Sequence, residues 1–137
     1  MAIFKILKWM LLIITLILIL LLTFNALSYL NFSSSYGFLK IKQTAITNIY
    51  YLPSYYAHVL VGGLILLIGF LQFFTQSSLQ FRTVHTILGR IYVYGILFLA
   101  APGGLVMSFF INRGKWVFAS FIFQSILWFL FTIIAVK

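Results

Sequence analysis

The sequence predicts an all-α integral membrane bundle of four transmembrane helices, with an interfacial segment before the second. Three observations predict it. The 137 residues are 64% hydrophobic, more apolar surface than a small soluble domain can hide from water. The apolar residues gather in four runs near the twenty needed to cross a bilayer as helix. The nine Lys and Arg residues, with no Asp or Glu to balance them, fall in ones and twos between those runs, where cations at helix ends reach the headgroups. The expected organisation is one membrane domain, 1–137, with spans at about 9–30, 55–76, 85–111 and 116–136 and an interfacial connection at 31–54.

Each element has its own signal. Lys5, Lys8 and Trp9 anchor the first span at the interface. Its apolar core is longer than a signal-peptide core and Ala26-Leu27-Ser28 is a poor cleavage site, so a retained anchor is expected. Ser33 to Gly37 is a turn-like break, and Phe38-Leu39-Lys40-Ile41-Lys42 alternates apolar and basic residues, as a segment lying on the membrane surface would. Tyr50, Tyr51, Tyr55 and Tyr56 suit the headgroup level, with Pro53 just ahead of the second helix. Pro102-Gly103-Gly104 falls inside the third span, where Pro removes a helical hydrogen bond and predicts a kink or break. Asn112 to Lys115 is a tight connection to the fourth span.

The composition excludes much chemistry. Without Asp or Glu there is no carboxylate pair for glycoside hydrolysis, no acidic proton relay and no side-chain site for Mg²⁺ or Ca²⁺. Without Cys there is no thiol nucleophile, disulfide or thiolate metal centre. The net charge of +9 is spread along helix ends rather than over a soluble face, which argues for anionic lipid headgroups as partners and against nucleic acid. Four spans place both termini on one side. That side carries Lys5, Lys8, Arg82, Arg90 and Lys137; the other carries Lys40, Lys42, Arg113 and Lys115. The balance leans towards termini inside.

Few residues could carry chemistry. His85 opens the third span beside Arg82, one turn before Gly89-Arg90, with Tyr92 following. An imidazole with Arg and Tyr nearby could hold haem b, a quinone or an anionic headgroup. The plainer reading is an interfacial histidine at a helix end. His58 lies within the second span, where an ionisable group is a functional candidate and otherwise a hydrogen-bonding contact between helices. His58, Gly62, Ile65, Gly69, Gln72 and Gln76 recur at steps of four and three, so they share one face, predicted to meet another helix. Ser125, Trp128 and Thr132 are expected to serve helix packing as well. The rise of α-helix from His58 to Gln76, roughly 27 Å, sets the two histidines near opposite membrane faces. One chain therefore cannot clamp one haem with this pair, whereas two copies could through His85.

The chain resembles a bacterial family of predicted membrane proteins, domain of unknown function 2306. The likeness runs from about Phe38 to Ala135. It rests on Phe38 to Gln43, His58, Gly69-Phe70-Leu71-Gln72-Phe73, His85 to Val93, Ala101 to Met107 and Trp128 to Thr132. Thr86 stands where the family usually has Arg. Family members usually continue past a fourth span with a further histidine, so this chain looks like a shortened member or a fragment. The resemblance implies a helical membrane bundle in a bacterial inner (cell) membrane and no established reaction. The expected function is that of a non-enzymatic multi-pass protein that packs with copies of itself or with membrane partners. The alternatives are a haem- or quinone-associated redox protein using His85, with His58, Arg90 and Tyr92 as further candidates, and a small-solute transporter.

Overall fold

The computed structural model describes residues 2–75 and 79–136, and its regular structure among them is entirely helical. Four helical stretches are long and apolar enough to cross a membrane: Ile3–Asn31, Tyr51–Thr75, Arg82–Ser108 and Lys115–Val136. Their outer faces carry exposed Leu, Ile, Val and Phe along their length, a surface stable only against hydrocarbon.

Helix α1 (Ala2–Leu27) packs chiefly on α3 (Tyr51–Thr75). The two backbones close up at Gly63. A Cβ there would lie 2.5 Å from the Ala26 Cβ, and Thr23 Oγ1 donates a 2.9 Å hydrogen bond to the Gly63 carbonyl. A small residue facing a polar one is how helices approach when the hydrophobic effect cannot drive them together. The expected seam residue, Gly62, is not the contact: a Cβ at that position would meet nothing within 4 Å. In a Gly-Gly pair the two residues point about 100° apart, and spacing alone favours neither.

The connection after α1 folds over one end of the bundle. Short 3-10 turns at Ser28–Asn31 and Gly37–Ile41 lead into α2 (Gln43–Ile46). Leu39 is fully buried with Tyr29, Ala45, Tyr51 and Tyr55. The Phe38 N–H donates to Tyr29 Oη at 2.9 Å, and Tyr29 meets the Tyr36 and Tyr55 rings edge-on. Aromatic edge-to-face pairing therefore builds a cap over one end of the helices. Pro53 sits within the first turn of α3 rather than ahead of it, where its missing N–H is not needed.

The third crossing is continuous. Helix α4 (Arg82–Gly95) passes through a π-helical turn, Ile96–Ala100, into α5 (Ala101–Ser108). The expected kink or break at Pro102 is thus absorbed by a widened turn just before it. Ala101 N–H reaches the Ile96 carbonyl, five residues back, and Ile96, Ala100 and Ala101 are buried. A π-turn opens the backbone where Pro would otherwise collide with the preceding carbonyl. After Ser108 the chain leaves the helix by tight turns and enters α6 (Lys115–Val136) through Gly114 at φ +93°, a conformation natural to glycine. Helix α6 packs on α5 and the π-turn, which leaves a groove towards α4.

Candidate functional site

His58 lies two turns into α3, roughly 10 Å below Tyr51 and the capped end. Its ring sits against the α5 backbone because Gly103 and Gly104 leave room. A Cβ on Gly103 would stand 2.7 Å from the Ser54 carbonyl oxygen, and one on Gly104 would stand 2.8 Å from His58 Nδ1 and Cε1. The two glycines are therefore required by close approach. His58 Nδ1 donates a 2.7 Å hydrogen bond to the Ala100 carbonyl, which the π-turn presents, and the Trp128 ring stands edge-on at 6.2 Å.

That histidine lines a cavity of about 520 Å³ between α3, α5 and α6, a size usual for small-molecule sites. Ser108, Gln124, Ser125 and Trp128 line it within the bundle. Lys42 and Arg113 join the wall from the surface connections, 71 residues apart in sequence (113 minus 42). Lys42 Nζ donates to the Phe110 carbonyl at 3.1 Å, which holds its ammonium in place although it has no carboxylate partner. Arg113 is exposed. The α6 N-terminus is beside it, and Val117 of its first turns lines the same cavity. Unpaired N–H groups there add partial positive charge. Sequence reasoning assigned Ser125 and Trp128 to packing and placed Lys42 and Arg113 on one membrane side without joining them in one site. The alternating 38–42 run was the available signal.

His85 lies at the other end of α3. Its Nδ1 is 3.0 Å from Thr75 Oγ1, and its backbone carbonyl accepts a 2.9 Å bond from Gln72 Nε2. Gln72 thus bonds across helices, as its place on the seam suggested. Tyr92 follows on the same face and packs where a Gly69 Cβ would be, 3.0 Å from the ring. Arg90 is exposed, about 140° around the helix from His85. The structure therefore brings His85 to Thr75 and Gln72, and Tyr92 to Gly69, but does not gather His85, Arg90 and Tyr92. Ile65 of the seam is buried beside Gly95. Gln76, the seam's last expected member, lies outside the described residues. Between α1, α3, α4 and α6 the seam opens on a second, mainly apolar groove of about 780 Å³, with Gln72, Tyr92 and Thr132 among its lining.

His58 and Thr75 are 17 residues apart on α3 (75 minus 58), so the two imidazoles are separated by roughly 26 Å along the helix. No single iron can bind both within one chain.

The geometry defines a multi-pass helical membrane protein with a mainly apolar cavity whose wall includes His58 and two cations. A family model described as predicted membrane protein, DUF2306, matches residues 55–137, from one turn into the His58 helix through the last span. The chain belongs to that family. The match begins 17 residues after the start of the likeness read from Phe38, so it leaves out Lys42 and the capping turns. No curated protein and no solved structure matches the chain.

Proposed function

We propose that the chain is a non-enzymatic membrane protein that binds an amphipathic anion in the His58 cavity, at one face of a bacterial inner (cell) membrane. The observation that carries this reading is the pairing of Lys42 and Arg113 on one cavity wall in a chain with no acidic side chain. Two cations and a helix N-terminus without an internal counter-charge favour an anion from outside. Phe38, Met107, Val117 and Phe121 around them suit an acyl chain.

The test uses octyl phosphate, titrated into the protein in phosphatidylcholine nanodiscs, with inorganic phosphate in a parallel arm. A Trp9→Phe, Trp116→Phe background leaves Trp128, which lines the cavity, as the fluorescent reporter. Octyl phosphate should give a saturable change, weakened about tenfold or more by Lys42→Gln with Arg113→Gln, since charge-assisted hydrogen bonds are worth roughly 1.5–3 kcal/mol. Lys40→Gln is the control. A response to inorganic phosphate as strong as that to octyl phosphate would identify a free-anion site. No saturable change with either probe would overturn the reading.

A second reading, self-assembly, draws on the groove between α4 and α6, where Gln72, Tyr92 and Thr132 present polar atoms beside Gly69 and Gly89. Polar and small residues together are what a second membrane helix would pack on. Two differently tagged copies would then purify together from a mixed expression, and Gly89→Leu would separate them.

A further inference from the structure

The Ala100 carbonyl can only accept a hydrogen bond, so the proton on the 2.7 Å contact belongs to His58 Nδ1. In the neutral ring the proton is then fixed there, and Nε2 carries a bare lone pair. The ring is fixed as well. Gly104 supports its Nδ1–Cε1 edge, and Trp128 stands at 85° to its plane. Among the described residues Nε2 makes no protein hydrogen bond, yet the buried side-chain atom without a partner is Tyr56 Oη, not this nitrogen. Nε2 therefore retains accessible surface, and His58 is among the residues that line the cavity.

We infer that His58 acts as the specificity determinant of this cavity, selecting amphipathic anions that also carry a hydrogen-bond donor, a hydroxyl above all, for Nε2. The inference rests on the proposed anion site and adds to it the chemistry of the ligand's deeper part. The anion lies with Lys42 and Arg113, and an O–H reaches the imidazole roughly two helical turns below. A site whose acceptor is held ready discriminates against a ligand without a donor, because that ligand displaces water and leaves the acceptor unpaired. The same fixed proton disfavours ligands that offer only a carbonyl or ether oxygen at this depth, since two acceptors cannot pair.

The deciding comparison is octyl phosphate against ω-hydroxyoctyl phosphate in the nanodisc assay. The wild type should bind the hydroxylated probe about tenfold more tightly, the usual scale of one hydrogen bond made or left unmade in a buried site. His58→Phe should erase that preference while octyl phosphate still binds. A second measurement needs no change at His58. In a His85→Gln background the imidazole nitrogen NMR signals report one histidine. They should show Nδ1 protonated and Nε2 bare, with Nε2 shifting on addition of the hydroxylated probe and not of octyl phosphate. Equal binding of the two probes, or a ring protonated at Nε2 instead, overturns the inference and leaves the anion site standing. Failure of both probes to bind overturns the two together.

Discussion

The two histidines mark opposite ends of one helix, and the ends differ in what their neighbours leave free. At the His85 end, imidazole and backbone carbonyl are both engaged by α3, through Thr75 and Gln72. At the His58 end, one nitrogen is engaged and the other keeps accessible surface beside a cavity with two cations in its wall. The His85 stretch is the conspicuous one in sequence, with Gly, Arg and Tyr close behind it. The His58 end is assembled from four segments far apart in sequence.

That contrast can be broken most severely at Gly103. Gly103→Leu would drive a side chain into the Ser54 carbonyl and the His58 backbone. We expect a loss of about 3 kcal/mol or more, at or above the upper end for overpacking, read as unfolding in mixed micelles with added dodecyl sulfate. The counterpart at the other end, Gly89→Leu, meets only the Gln72 side chain, 3.5 Å from the would-be Cβ, and should cost the monomer far less. Next in size is the α1 contact. Gly63→Val should cost about 1–3 kcal/mol in the same assay, because the Ala26 methyl occupies the space.

The cations sharpen the comparison in binding rather than stability. Removing Lys42 and Arg113 should weaken octyl phosphate about tenfold, whereas Arg82→Gln with Arg90→Gln should leave it unchanged. At the His85 end, Gln72→Leu removes one bond between helices and should cost about 0.6 kcal/mol, with roughly 1.7 as the ceiling for such bonds in membranes. Of opposite sign, Gly62→Ala should be neutral or stabilising by about 0.5–1 kcal/mol, since it has open space and sits inside a helix. A loss there as large as that of Gly63→Val would mean that the faces of α3 are misassigned.

The membrane class was legible because apolar abundance and span length are local, additive properties. Part of the seam was legible for the same reason: Ile65, Gly69 and Gln72 follow the helical period and meet α4 or its continuation. Pro102-Gly103-Gly104 was legible as exceptional, but its meaning was not. Its purpose depends on Ser54 and His58, 49 and 46 residues earlier (103 minus 54, 104 minus 58), and no spacing rule links them. The cap is similar. Alternation in Phe38 to Lys42 pointed to an interfacial segment but not to its packing: a 3-10 turn buries Leu39, leaves Ile41 exposed and brings Lys42 to the Phe110 carbonyl.

The π-turn has a consequence for the phase of the whole third crossing. Each hydrogen bond in such a turn encloses one residue more than in an α-turn, so the helix before it is rotated by about 100° relative to an uninterrupted helix. The turn works as a gearbox within one continuous rod. It lets α4 aim Tyr92 at Gly69 while α5 aims Gly103 and Gly104 at His58. Deleting one lipid-facing residue of the turn, Leu99, would restore ordinary winding without removing any contact group of either end. The two ends could then no longer engage α3 at once, and a single residue of chain length would decide whether His58 has a cavity beside it.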